Sequence, residues 1–233
     1  MLSLNLSKTK HMVLSPFRIA DTGQCDLIVD SEKIERVVEF TYLGLTIDSA
    51  LKWTNHIQKL KSDVTSASGL FWKISSFIPV KQLSIMYHAF VQSKLKYLIF
   101  IWGAASRSRL KPLQTAQNRC LKAVYKRPRL YPTMNLYAEA DESTLPINAL
   151  RELQAASIIH NHLQNPLAHH NQNYERPDHR YSLRNQSSLY VSQPTTEFAK
   201  KAFTYYAATA HQRLHPPPPP TTNNHPRQNI INE

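Results

Sequence analysis

The chain of 233 residues carries 28 Lys+Arg against 16 Asp+Glu, a net charge of +12 and a pI near 9.7, so a polyanion is its natural partner. Hydrophobic residues at 42% and aromatics at 9% are enough for a real core, in one large domain or two small ones. With 2 cysteines and 4 glycines, none in a phosphate-cradling pattern, the composition excludes a disulfide framework, a zinc knuckle, a P-loop and a dinucleotide fingerprint.

Residues 1–50 read as β-rich. His11 to Leu14 is a short apolar run ending at Ser15 and Pro16. Leu27, Ile28 and Val29 lead into a polar turn of Asp30, Ser31, Glu32 and Lys33, and Ile34 to Phe40 returns as the second arm of a hairpin. β-Branched and aromatic residues continue from Phe40 to Ile47 around Gly44, where a bulge or a close backbone approach fits. At Trp53 the period becomes helical. Ile57, Leu60, Val64, Ala67, Phe71, Ile74 and Ile78 form one apolar stripe, which Pro79 is expected to stop. A second helix carries Leu83, Met86, Tyr87, Phe90, Val91 and Leu95, and Gly103 ends the apolar stretch that follows. Ser106 or Ser108 can cap a third helix with Leu110, Leu113, Gln117, Cys120, Leu121 and Val124 on its inner face. Pro112 is placed in its first turn, and Pro128 and Pro132 break the chain after it. A fourth helix runs from after Pro146 to about Leu163.

The predicted class is α+β and mostly α. A small antiparallel β fragment occupies 1–50, a helical assembly 51–164, and a polar linker 165–194. A last helix at 195–214, capped by Thr195 or Thr196 and carrying Phe198, Ala202, Phe203 and Tyr206, precedes a Pro-rich tail at 215–233 expected to be disordered. Leu98 to Trp102, the most apolar run, is too short to span a bilayer, and Met1 to Lys10 lacks the apolar core of a signal peptide. No membrane partner is expected, and an intracellular location, nucleus or cytoplasm, is.

Charge is unevenly spread. Between Asp63 and Glu139 there is no acidic residue, while Lys73, Lys81, Lys94, Lys96, Arg107, Arg109, Lys111, Arg119, Lys122, Lys126, Arg127 and Arg129 all fall there. Such a stretch repels itself unless phosphates compensate it; a generic basic surface or a membrane-surface patch is the plainer alternative. Lys73, Arg107, Arg109, Lys111, Arg119, Lys122, Lys126 and Arg127 are the candidate nucleic-acid contacts. Trp72, Tyr97 and Trp102 can either stack on bases or pack in the core. His160 and His162 are too close in sequence to share a helix face, so no metal site is predicted.

Several segments, in order, carry a family resemblance. Leu2 to Lys10 (LSLNLSKTK) followed by His11 to Leu14, and then Phe40 to Asp48 (FTYLGLTID), resemble the end of the palm and the primer grip of non-LTR retrotransposon reverse transcriptases of the LINE or jockey type. Trp53 to Ile57, Leu83 to Phe90, Ile101 to Gly103 and Leu113 to Arg119 resemble the thumb and post-thumb region of those enzymes. Arg180 to Arg184 (RYSLR) is similar to a further family element, whose usual Trp-containing ending is here His211 to His215 and a proline run.

The resemblance implies a C-terminal part of an RNA-directed DNA polymerase, with an RNA template and a DNA primer as partners and the N-terminal polymerase part as another. It implies that Lys8 lies on the triphosphate side and that Tyr42, Leu43 and Gly44 form the primer grip, in a hairpin that ends the 1–50 palm remnant. The intact enzyme would use magnesium held by palm carboxylates. No adjacent Asp pair occurs in this sequence, so no cofactor and no synthesis are expected of it alone. The alternatives are a stand-alone basic RNA- or DNA-binding helical module and a nonfunctional transposon relic.

Overall fold

The computed structural model describes residues 5, 8–15, 26–29, 31–164, 195 and 203–214. The 165–194 linker, the RYSLR element, Cys25, Phe198, Ala202 and the tail after Leu214 lie outside the described residues.

The described β part is sparse because little in it is buried. Ile34 is the one buried residue before Leu45 among those described. Without an apolar face the strands stay short. β1 (Lys10–His11) pairs with β4 (Glu35–Arg36), β2 (Ile28–Val29) with β3 (Glu32–Lys33), and β5 (Glu39–Tyr42) with β6 (Leu45–Asp48). The last two pairs are antiparallel, as expected, but β1 and β4 run parallel, with Lys10 opposite Glu35 and ion-paired to it at 3.0 Å. The first hairpin is tighter than the sequence suggested: Glu32 and Lys33 belong to its second strand, and Ser31, at φ 67°, makes the turn.

Phe40 to Ile47 is a hairpin, as expected around Tyr42, Leu43 and Gly44, with a turn rather than a bulge at Gly44. Tyr42 pairs with Leu45, so Leu43 and Gly44 are a two-residue turn with φ of 47° and 80°. Two positive φ values in a row match the right-handed twist of a hairpin, and they usually select Asn-Gly. Here a leucine takes the first place.

The hairpin leads into the helices through Asp48. Its Oδ1 accepts from the Lys52 amide at 2.9 Å and its Oδ2 from the Trp53 amide at 2.6 Å, which fixes the two residues that enter α1 (Thr54–Ile74). α1 ends at Ile74, so Ile78 lies beyond it; Pro79 instead precedes α2 (Val80–Tyr87). A π turn, His88–Gln92, joins α2 to α3 (Ser93–Lys96) without a break. α4 (Ile99–Trp102), α5 (Arg107–Val124), α6 (Thr133–Glu139), α7 (Ile147–Gln164) and α8 (Phe203–Leu214) follow. α6 was not anticipated: Pro132 starts it rather than only breaking what came before. Pro112 is inside α5, not in its first turn, and leaves the Ser108 carbonyl without its helical donor.

The chain is mostly helical. One core unites α1 to α5 with α6 and the start of α7: Phe71, Leu83, Tyr87, Leu95, Ile99, Trp102, Leu113, Leu121, Leu136 and Ile147 are fully buried. Each such aliphatic side chain contributes roughly 1.5–3 kcal/mol by leaving water. A separate, smaller cluster joins α7 to α8 through Ala155, Ala156, Ile159, Ala207, Ala208 and Ala210. Among the described residues no helix is long and apolar enough to cross a membrane.

Candidate nucleic-acid interface

α5 positions most of the predicted cations, and its two faces differ. Leu110, Leu113, Gln117, Cys120, Leu121 and Val124 turn into the core. Arg107, Lys111, Thr115 and Arg119 recur every four residues, which places them along the outer side. Arg107, Arg109 and Lys111 crowd the helix start, where no acidic residue is present. Cations there oppose the helix dipole, and like charges four apart repel, each effect amounting to a few tenths of a kcal/mol or more. The arrangement works against the helix unless an anion lies across it.

At the far end of α5 the stripe opens into a groove of about 640 Å³ lined by Trp72, Thr115, Asn118, Arg119, Lys122, Arg129 and Thr133. None of these residues is acidic. The Lys122 ammonium donates to the Arg129 carbonyl at 2.7 Å, which holds the segment after α5 against the helix. Lys126 turns the chain there at φ 52°: the Arg127 amide returns to the Lys122 carbonyl at 2.8 Å and the Lys126 amide to Ala123 at 3.3 Å. That pairing is a Schellman motif with a lysine where glycine is usual.

The inner wall is a polar network that the sequence reading missed, having placed Gln117 with the apolar residues. Gln117, fully buried, donates to Tyr87 Oη at 3.0 Å and to the Leu145 carbonyl at 2.9 Å. Gln114 Nε2 lies within 2.9 Å of Gln117 Oε1, Asn118 Oδ1 and Tyr137 Oη, and Gln114 Oε1 accepts the first amide of α7, from Ile147, at 2.9 Å. Burial pushes the Tyr87 and Tyr137 hydroxyls up, so both stay protonated and able to donate.

The other predicted residues are dispersed. Arg109 is half-buried and donates to Ser106 Oγ at 3.2 Å. Arg127 is paired with Glu139 at 2.9 Å, beside the Tyr131 ring. The Tyr131 hydroxyl, with Arg127 after it, holds the Glu139 carboxyl below its usual range. Lys73 is exposed next to Trp72 in sequence but does not line the groove. Lys8 is exposed in a single turn whose amide bonds Asn5, and no bond or ion pair links its side chain to the Leu43–Gly44 turn among the described residues.

That turn borders a second groove of about 360 Å³, lined by Gly44, His56, Lys59, Leu60, Asp63, Ser93, Lys94 and Tyr97. Tyr97 donates to the Leu43 carbonyl at 2.7 Å, tying the turn to the end of α3, and Lys94 pairs with Asp63 at 3.0 Å. His56 accepts the Thr46 amide at Nδ1 at 3.4 Å and lies 5.7 Å from the Trp102 ring. Of the three aromatics considered for stacking, Trp102 is therefore core, Tyr97 is a half-exposed tie, and Trp72 alone lines the cationic groove.

One constellation has catalytic residue types but not the hydrogen-bond order of a triad. Ser84, His88 and Asp141 meet where α2 grips the loop before α7, but the serine donates to the aspartate and not to the imidazole, which is 3.7 Å from the same carboxylate. A hydroxyl held that way is turned to the carboxylate, so the serine–imidazole bond of a triad is not made. Among the described residues no group of three or more His, Cys, Asp or Glu comes together to hold a metal ion. Compared with known proteins, the chain matches no family model, no curated protein and no solved structure.

Proposed function

We propose that the chain is a nucleic-acid-binding piece of a non-LTR retrotransposon reverse transcriptase, with its helices in the place of the thumb and its hairpin in the place of the primer grip. The observation that carries the binding is the acid-free groove at the end of α5, in which Arg119, Lys122 and Arg129 converge beside an exposed indole. The family assignment rests on the order of the sequence segments. It is supported by the exposed residues Phe40 and Tyr42 of β5, with Val38 just before it, an alternating apolar face suited to the rest of a palm. On this reading the chain holds RNA template and DNA primer, and alone it synthesises no DNA.

A second reading is a stand-alone basic helical module. It is favoured by the core itself, which closes around helical residues with only Leu45 contributed from the strands. Binding to an RNA–DNA primer–template, titrated at several salt concentrations, tests both. A log–log salt slope of roughly −3 or steeper is expected, since each phosphate contact contributes nearly one released counterion. Replacing Arg119 and Lys122 together by glutamine should make that slope shallower by about 2. Equal affinity for every nucleic-acid form favours the module. No binding at low salt defeats both readings.

A further inference from the structure

We infer that the groove at the end of α5 takes an unpaired nucleotide, its base stacked on Trp72 and its flanking phosphates on Arg119, Lys122 and Arg129. The inference rests on the reading of this surface as nucleic-acid-binding, and goes further in naming the form bound.

Trp72 is the first argument. The chain's other two tryptophans, Trp53 and Trp102, are core residues at 6% and 0% exposure, whereas Trp72 is 43% exposed. It sits in the last turn of a helix of 21 residues, between buried Phe71 and half-buried Ile74, so the indole is carried on a rigid support. Among the described residues no aromatic ring and no cation stacks on it, although cations line the same groove. A large apolar surface left open among positive charges suits a ligand that is flat on one side and anionic on the other.

The walls fit the same ligand. The Arg119 and Arg129 guanidiniums have no carboxylate partner among the described residues, and Lys122 commits one of its three donors to the Arg129 carbonyl. Asn118 receives Gln114 and Tyr137 on its Oδ1, at 2.8 and 2.9 Å, which fixes the amide and leaves its donor side uncommitted among the described residues. At about 640 Å³ the groove is within the range of roughly 300–1,000 Å³ typical of sites for small-molecule-sized groups. A base paired within a duplex cannot reach an indole on the groove wall without being unstacked first, at a cost of a few kcal/mol. Single strands, overhangs and bulges meet no such cost.

The test uses the full chain with a single-stranded oligouridylate and a blunt duplex, comparing wild type with Trp72→Ala and Trp72→Phe. Far-UV circular dichroism checks that both variants are folded. Trp72→Ala should weaken single-strand binding roughly 5- to 150-fold, the range spanned by one base–aromatic stack, while duplex affinity stays within about 2-fold. Trp72→Phe should restore most of the affinity, and the quenching of tryptophan emission by the oligonucleotide should vanish in both variants. Unchanged single-strand binding by Trp72→Ala, or an equal loss on duplex, overturns this inference and leaves the salt-dependent reading standing. Absence of salt-dependent binding by the wild type overturns both.

Discussion

Leu43 shows how a single residue can work against its own local structure. At φ 47° and 69% exposure it occupies a left-handed turn position and packs on nothing that needs a leucine. The conformation costs an L residue with a Cβ about 1–2 kcal/mol, and asparagine tolerates it best. Leu43→Asn should therefore raise stability by about 1 kcal/mol, seen as a higher thermal midpoint. An unchanged or lower midpoint would show that the turn is unstrained. The Tyr97 bond is to the backbone carbonyl, so the substitution leaves it in place. His56 gives a residue-scale pH effect. Burial, and then Lys59, lowers its pKa from 6.5, favouring the neutral ring whose Nδ1 accepts the Thr46 amide. The unfolded chain takes up a proton near 6.5 while the folded one resists. Stability is therefore fully present above that pH and declines as pH falls from it toward the lower folded value. Denaturation midpoints at about pH 7.5 and about pH 5.5 should differ less in His56→Asn, which keeps an acceptor but cannot titrate. Equal differences in the two proteins would remove His56 as the cause.

At the scale of elements, α5 is where stability and binding are separated onto two faces. The inner face depends on Gln117 as much as on its leucines. Gln117→Leu fills similar volume but strips donors from the Leu145 carbonyl and the Tyr87 hydroxyl, so it should cost roughly 2–4 kcal/mol in urea denaturation. A loss under about 1 kcal/mol would mean that water replaces the amide. The cations of the outer face should be unaffected by the change. The element scale also shows what was legible in the sequence. The stripe from Ile57 to Ile74 specifies α1, and the apolar positions from Leu110 to Val124 specify the buried side of α5, because a repeat near 3.6 has one helical solution. α6 was not legible, since Thr133 to Glu139 is too short for a period and lies among prolines that read as breakers. The hairpin at Tyr42, Leu43 and Gly44 was legible from the family resemblance, although a leucine stands where the usual turn signal belongs. Pro112 was misplaced by less than a turn, within the usual uncertainty of a helix start.

For the whole molecule, class was readable and assembly was not. The change of period near Trp53 marks the passage from strands to helices, and the structure makes it there. The groove is another matter. Trp72 ends α1, Arg119 and Lys122 lie on α5, and Arg129 follows Pro128 in a segment with no helical face to read. Only tertiary packing brings them together, which is why Arg129 was not singled out while Arg127, held by Glu139, was. The same scale shows two cores of unequal size. α7 enters the large one through Ile147 and Leu150 and holds α8 further along, through a seam of alanines with Ile159, the Arg151 guanidinium over the Tyr206 ring and the Arg213–Glu152 ion pair. Tension applied through the C-terminus would meet that seam first. It would peel α8 away before the helices that build the groove give way.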